Sequence, residues 1–560
     1  NLEVLKILQK HYHGKIKMIY IDPPYNTGKD FVYPDNFKEG LDTYLQWSKQ
    51  VNEEGKKLSS NSESEGRYHS NWLNMMYPRL KLARNLLSLD GFIFISIDDH
   101  EQDSLKKVCN EVFGEANFVA TVVVFSNPRG RQSTTHIAAS HEYVHVYARN
   151  VVNASLSGEP LTPDQISEFN KVDSNGVAYR EIGLRLRGGR ATAAESPTLH
   201  YPIYVDPKTS EIFVEANADD SLVEVLPYFS NGEAGTWRWS AQKVAADVDQ
   251  LTARMVRTSE GQRWDIFQKD YLSEKSRRKP KSLWSEKGVN YDRSKDDLRT
   301  LGMDKLFSYA KPVSLLKKII SLTTSPNSQD IILDFFSGSS TTAQAVMQLN
   351  AEDGGDRSHI QIQLPEPTHE KSEAYKSGFN NIAEISRERI RRAGDTILRD
   401  SAEKPAHRPR PLDVGFRTFK LADTNFAKWR AESDTDATKL EQHLLALRES
   451  ADDNATPDDL LTEILIKQGH SLVEQIRDRK IDGLSFKAVV EVDDEADKED
   501  TLVLAYLDEH TKPTLAQLRA AVDVKPAQFI ILEDAFKGDD ELKSNLAQIC
   551  KTNGIELWTA

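Results

Sequence analysis

Cysteine is nearly missing from this chain: Cys109 and Cys550 are the two in 560 residues. With no Cys/His cluster around them, neither a disulfide scaffold nor a structural zinc site is expected, and no metal site at all. Long apolar runs are missing too. No stretch approaches the ~20 residues that cross a bilayer, and the charged N-terminus lacks a signal-peptide pattern. No membrane partner is expected, and a reducing cytoplasm suits the composition. The first residue is Asn1 rather than Met, so an N-terminal segment ahead of it is expected. Basic charge is also scarce overall, with a net charge of −14. That deficit is local. Residues 401–560 hold 21 Lys and Arg against 32 Asp and Glu, whereas residues 251–320 hold 17 against 9. An acidic tail masks a basic middle, so bulk charge excludes no polyanionic partner.

What is present is ordinary globular composition, 39% apolar and 28% charged, at a length that implies roughly three or four domains. Residues 15–25, KIKMIYIDPPY, read as a short buried strand stopped by two prolines. A Gly-, Ser-, Asn- and Glu-rich loop is expected over 52–66. Trp72 to Leu89 shows helical spacing, with Asp90-Gly91 as its stop signal. Phe92 to Ile97 is a continuous apolar strand of the kind buried on both faces. A helix at Gln102 to Phe113 follows, then strands around Ala120 to Phe125 and His141 to Ala148. Alternation fails from Val151 to Arg299. It returns with a helix at Ser314 to Ser321, a strand at Asp330 to Phe335, a helix at Thr341 to Leu349 and a strand at His359 to Leu364. This order predicts an α/β doubly wound fold interrupted by a second domain. A Pro-rich linker, KPAHRPRP at 404–411, leads to an acidic α+β region.

Three motifs carry chemistry. Asp22-Pro23-Pro24-Tyr25 closes the first strand, at the carboxyl edge where open α/β sheets gather ligands. The prolines fix φ and leave carbonyls free to accept hydrogen bonds. An amino group on an aromatic base is a poor nucleophile because its lone pair is delocalised. A carboxylate and a carbonyl accepting both its N–H bonds would localise that lone pair, and the Tyr25 ring could stack on an extruded base. Taken alone, the same four residues make a turn after a strand. Asp334 to Thr342, DFFSGSSTT, closes a strand and opens a helix whose N-terminus offers free N–H groups. Alone it suits a phosphate or a plain N-capped turn equally well. It is not a nucleotide-binding P-loop, having no Gly-Lys-Ser/Thr. Lys311-Pro312 opens an amphipathic helix and by itself marks only a helix start.

In this order the motifs resemble the β-class DNA amino-methyltransferases, and most closely the modification subunit of type III restriction-modification systems. The matching stretches are MIYIDPPYNTGKDFVY, WLNMMYPRLKLARNLLSLDGFIFISIDDHE, KPVSLLKKII, DFFSGSSTT, QLPEP and NNIAEISRERIRRA, with GFRTFKLADTNFAKW and FIILEDAFKGDDELKSNLAQICKTNGIELWT beyond the linker. The resemblance implies an S-adenosylmethionine-dependent core in two halves, a catalytic half over 1–150 and a cofactor-binding half over 301–400. A target-recognition domain would fill 151–300, and an assembly region 412–560. Asp22, Pro23, Pro24 and Tyr25 would hold a flipped adenine at N6, while Asp334, Phe336, Gly338, Lys311 and Pro312 would line the S-adenosylmethionine pocket. Aromatic and basic residues of the insert (Trp237, Trp239, Arg254, Arg257, Arg263, Trp264) could meet DNA, above all the run Lys275, Arg277, Arg278, Lys279 and Lys281. The implied partners are double-stranded DNA, a second copy of the chain, and a restriction subunit carrying ATPase and nuclease, in a bacterial or archaeal cytoplasm. N4 of cytosine is the alternative target, disfavoured because N4 enzymes more often have Ser at the position of Asp22. A degenerate DNA-binding or assembly subunit is the alternative from another class. Two departures stand out. Ser340 replaces the family's usual Gly, and no acidic residue for the cofactor ribose closes the strand ending Gln361-Ile362-Gln363-Leu364, with Glu366 the nearest.

Overall fold

The structure, a computed structural model, describes residues 1–27, 66–130, 136–189, 191–216, 221–258, 261–273, 276–402, 411–426, 455–493 and 498–560. It divides into two compact units, one of Asn1–Ser157 with Lys281–Ala560 and one of Gly158–Pro280.

The first unit is built on a seven-stranded sheet. Its strands in chain order are β1 (Ile16–Ile21), β2 (Leu87–Ile97), β3 (Phe118–Val124), β4 (Glu142–Ala148), β5 (Leu283–Trp284), β6 (Ile331–Asp334) and β7 (Ser358–Gln361). They lie side by side as β5-β3-β4-β2-β1-β6-β7. β2, β1, β6 and β7 run parallel, and β4 is antiparallel to both β2 and β3. The apolar run of β1 serves two cores because alternate side chains leave opposite faces. Ile19 and Ile21 join Leu5 and Leu8 of helix α1 (Leu2–Tyr12), Trp72, Met76 and Leu80 of α2 (Gly66–Leu86), and Leu105 and Phe113 of α3 (Gln102–Phe113). Met18 and Tyr20 join Leu316, Ile319 and Ile320 of α4 (Val313–Thr323) and Val346 of α5 (Thr341–Asp353). Helices thus cover both faces, as the continuous apolar strands require. The fold is the expected doubly wound α/β sheet.

One expected boundary is corrected. Asp90-Gly91 is not the stop of α2. That helix ends at Leu86, and strand β2 starts immediately at Leu87. Ile16 pairs with Leu87 but Met18 with Phe92, so Ser88 to Gly91 form an outward bulge. Lys17 ion-pairs with Asp90 at 2.5 Å across this bulge. Gly91 is needed there, since a Cβ would stand 3.0 Å from the Ile16 carbonyl. The apolar pair Leu86-Leu87 carries the chain straight from helix core to strand core, and the turn-like dipeptide is spent on the bulge. The loop expected at 52–66 lies outside the described residues, apart from Gly66, which opens α2.

The second unit holds a four-stranded antiparallel sheet of Leu251–Thr258, Gly261–Tyr271, Ala178–Gly183 and Lys171–Val172, and a three-stranded sheet of Val223–Val225, Ile203–Val205 and Ile212–Phe213. Its core gathers Leu184, Ile203, Val205, Trp237, Val244 and Ile266. Many of these strands are two or three residues long, too short to print an alternation on the sequence. Residues 281–300, expected with the insert, stand in the first unit, because β5 pairs with β3 and buries Trp284 in the main core.

The region past the linker is a five-stranded sheet, Gln475–Ile481, Leu484–Asp493, Lys498–Tyr506, Gln528–Ile531 and Glu556–Thr559 in chain order. It has its own core around Leu461, Phe486, Leu504, Phe529 and Leu546. It meets helix α1, where His11 Nδ1 lies 2.6 Å from the Gly469 carbonyl and Leu472 N donates to the Tyr12 hydroxyl at 3.3 Å. No helix among the described residues is long and apolar enough to cross a membrane.

Candidate active site

β1 and β6 are neighbouring parallel strands, and from them the chain departs in opposite directions, to β2 on one side and to β7 on the other. Their carboxyl ends therefore flank a topological switch point, where open sheets hold ligands. Asp22 follows the last residue of β1, and Asp334 is the last residue of β6. Two motifs more than three hundred residues apart in sequence stand side by side.

The two prolines end the pairing of β1, having no N–H to offer. The indole of Trp72, buried in α2, donates to the Pro24 carbonyl at 2.6 Å and fixes the turn. Beyond it the Tyr25 hydroxyl donates to Glu142 Oε2 at 2.9 Å. The ammonium of Lys311 donates to the same Glu142 oxygen at 2.9 Å, to the Tyr25 hydroxyl at 2.6 Å and to the Tyr291 hydroxyl at 2.6 Å. Tyr291 donates to Glu142 as well. Lys311 also stands 5.0 Å from the ring centre of Tyr25 and 4.6 Å from that of Tyr291. It also forms an ion pair with Asp22 Oδ1 at 3.1 Å.

Burial pushes the Asp22 carboxyl above its ordinary value, Lys311 opposing and Glu142 assisting. Burial works the same way on Glu142, but Lys311 and the two tyrosine hydroxyls outweigh it and hold that carboxyl low. Lys311 itself is raised, the two carboxylates overcoming its desolvation. Next along the chain Asn26, at φ 62°, donates to Glu101 Oε1 at 2.6 Å, and His69 Nδ1 lies 2.6 Å from the same oxygen.

On the β6 side, Asp334 Oδ1 accepts from Phe336 N at 3.1 Å and Oδ2 from the Thr342 hydroxyl at 2.6 Å. Burial raises its carboxyl to about 7. Gly338, at φ 50°, donates its N–H to Gln363 Oε1 at 2.7 Å, and its carbonyl accepts from the Ser386 hydroxyl. Ser340 takes the left-handed conformation at φ 61°. Arg389, wholly buried on the helix Ile382–Ala402 (α6), ties the loop from behind through Ser339 Oγ at 2.6 Å, Thr341 Oγ1 at 2.7 Å and Gln344 Oε1 at 2.9 Å. Phe336 packs its ring into the core with Ile362. Pro312 caps α4.

In the second unit Arg278 is paired with Glu159 at 2.5 Å, whereas Arg277 and Lys279 are exposed. Lys281, at the edge of the first unit, is exposed as well. Lys275 lies outside the described residues.

The DNA methylase family model matches residues 16–362, from the first residue of β1 past the end of β7. The chain belongs to the DNA methylase family. This methylase is 33% identical over 439 residues to the EcoPI Mod subunit of a type III restriction-modification enzyme from Escherichia phage P1, covering 77% of this chain and 66% of that one. It is 33% identical over 398 residues to the type II methyltransferase M.KpnI of Klebsiella pneumoniae, covering 71% and 87%. With the StyLTI Mod subunit of Salmonella typhimurium it shares 35% identity over 435 residues, covering 75% and 59%. The chain thus spans no more than about two-thirds of the length of these two Mod subunits.

Sequence reasoning missed several residues of the candidate site. Glu142 carried a faint signal, a carboxylate opening an otherwise buried strand. Tyr291 and Trp72 carried none, being single aromatics within polar or helical stretches. Lys311, grouped with the cofactor motif by resemblance, makes its contacts on the Asp22–Tyr25 side.

Proposed function

We propose that the methylase transfers a methyl group from S-adenosylmethionine to N6 of adenine in duplex DNA, as the modification subunit of a type III restriction-modification system. The observation that carries this reading is the pairing of Asp22-Pro23-Pro24-Tyr25 with the Asp334–Gly338 loop at one switch point. The second half suits the methyl donor. Ser337 Oγ, Ser340 Oγ and both polar atoms of Gln361 are buried without a hydrogen-bond partner, beside a carboxylate and a glycine turn. Asp334, Gly338 and Ser337 would hold the amino-acid end of S-adenosylmethionine, with Gln361, closing β7, on its ribose. When bound, S-adenosylmethionine supplies a methyl group on a positively charged sulfur. The protein's work is then positioning rather than activation of the carbon.

Asp22, ion-paired with Lys311, accepts one N–H of the target amino group, and the Pro23 carbonyl is the candidate for the other. Tyr25, its hydroxyl anchored to Glu142 and Lys311, offers a fixed ring for stacking worth about 1–3 kcal/mol. That offsets part of the few kcal/mol needed to flip a base out of the duplex. Arg277, Lys279, Lys281 and Lys275 supply phosphate contacts, with Arg278 held back by Glu159. The names of the Mod relatives suggest a restriction subunit as partner, and self-pairing is proposed for the region after the linker.

The test is transfer of labelled methyl to mixed unmethylated genomic DNA, followed by identification of the nucleoside. Wild type should yield N6-methyladenine. Asp22→Ala should lose about two to four orders of magnitude in rate while still binding S-adenosylmethionine. N4-methylcytosine would overturn the target, and an active Asp22→Ala would overturn the site.

A further inference from the structure

The Lys311 ammonium donates hydrogen bonds to Glu142, Tyr25 and Tyr291. Asp22 receives its charge at 3.1 Å. The arrangement has a chemical consequence. Asp22 accepts an N–H from a base most strongly when ionised, yet its Oδ1 is buried beside a second carboxylate, Glu142. Two neighbouring carboxylates in such a place tend to share a proton, and a protonated Asp22 would be a weaker acceptor for the base amino group. A cation placed between them keeps both ionised.

We propose that Lys311 is a positioning residue for methyl transfer: it supplies charge to Asp22 from 3.1 Å while its hydrogen bonds to Glu142, Tyr25 and Tyr291 hold it on the base side of the site. Glu142 and Tyr291 are then the clamp that aims Lys311, and through Tyr25 the same clamp sets the stacking ring. The proposal rests on the methyl-transfer reading above. It assigns Lys311 to the base side of the site, not to the cofactor. The groups facing Asp22 are Lys311 ahead of α4, Glu142 on β4, Tyr25 beside it, Tyr20 on β1 and Tyr291 ahead of the helix Asp292–Thr300, with Asp334 of β6 also within electrostatic reach.

Rates of methyl incorporation into unmethylated genomic DNA are measured against pH at saturating S-adenosylmethionine, and cofactor affinity is measured separately by calorimetry. Lys311→Met should bind S-adenosylmethionine within about twofold of wild type yet lose about tenfold or more in rate. The acid limb of its rate profile should move up by about 1–3 pH units, the range for losing an opposite charge at this distance. Glu142→Gln should move the acid limb the other way, to lower pH, because Asp22 loses a like charge and keeps its cation. Lys311→Arg should restore the acid limb but only part of the rate, since a planar guanidinium cannot aim three bonds in the ammonium's directions. A Lys311→Met protein that loses the cofactor and keeps its acid limb makes Lys311 a cofactor residue and ends the proposal. Acid limbs that stay put in both variants, or move together, reduce the cluster to packing. If Lys311→Met does not fold, the shifts of Glu142→Gln and Lys311→Arg decide alone. A wild type that methylates nothing overturns the functional reading as well, whereas an active wild type with unmoved variants overturns only this inference.

Discussion

Asp334 is a carboxyl whose charge depends on conditions near neutrality, since burial holds it at about 7 against the pull of the Thr342 hydroxyl and the Phe336 N–H. If it pairs with the ammonium of S-adenosylmethionine, only its ionised form does so. The sign follows directly: above pH 7 the group is charged and binds, below it the group is neutral and the ion pair is lost. Affinity should fall about tenfold from about pH 8 to about pH 6, and Asp334→Asn should bind weakly with a flat profile. Calorimetry at three pH values checks this, and a wild type with constant affinity would separate Asp334 from the cofactor. At this scale Asp22, Tyr25, Asp334 and Gly338 were legible in the sequence, because each sits in a contiguous motif at a strand end. Glu142 and Tyr291 were not. They reach Tyr25 and Lys311 across separations such as the 117 residues from Tyr25 to Glu142, and no local pattern marks which distant side chain closes a cluster.

The loop between β6 and α5 shows why an element tolerates some residues and refuses others. Ser340 stands at φ 61°, buried, where the family's usual glycine would carry no Cβ penalty. A side chain in that conformation costs about 1–2 kcal/mol, while glycine gives back about 0.5–1 kcal/mol in unfolded-chain entropy. Ser340→Gly is therefore expected to be neutral or slightly stabilising in urea unfolding. Ser340→Val, β-branched at positive φ in a filled space, should lose about 2 kcal/mol or more. Equal stability of the two variants would show that the loop relaxes out of this conformation. The glycine departure was visible in the sequence, but the backbone angle that gives it meaning was not. The same holds for Asp90-Gly91, whose composition signals a turn without saying whether it ends a helix or bulges a strand. Arg389 lies in the charged stretch NNIAEISRERIRRA. Only the packing of α6 behind the loop shows that this one arginine is inside.

At the scale of the whole molecule, the charge asymmetry in the sequence separates roles between regions. The acidic region after the linker carries exposed Phe416, Phe419 and Leu421 on an extended stretch, a surface suited to a protein neighbour. The full chain is expected to sediment as a dimer and to bind duplex DNA with strong salt dependence. Changing Arg277, Lys279 and Lys281 to Gln should lower the slope of log affinity against log salt by about 3. A monomer mass would remove self-pairing, and an unchanged slope would move phosphate contact off this run.

The sequence by itself determined most strands and helices of the sheet core, because their apolar runs are long enough to print a period, and it located both chemical motifs, because each is continuous along the chain. Tertiary structure alone decided that β1 and β6 are neighbours, which puts Asp22 beside Asp334. It also decided that Glu142 and Tyr291 close around Lys311, and that the short strands of Gly158–Pro280 form sheets at all. The physical reason is the same in each case. Local pattern records what a residue needs from its immediate chain, whereas a buried charge is stabilised by whatever distant partner the fold brings within about 3 Å.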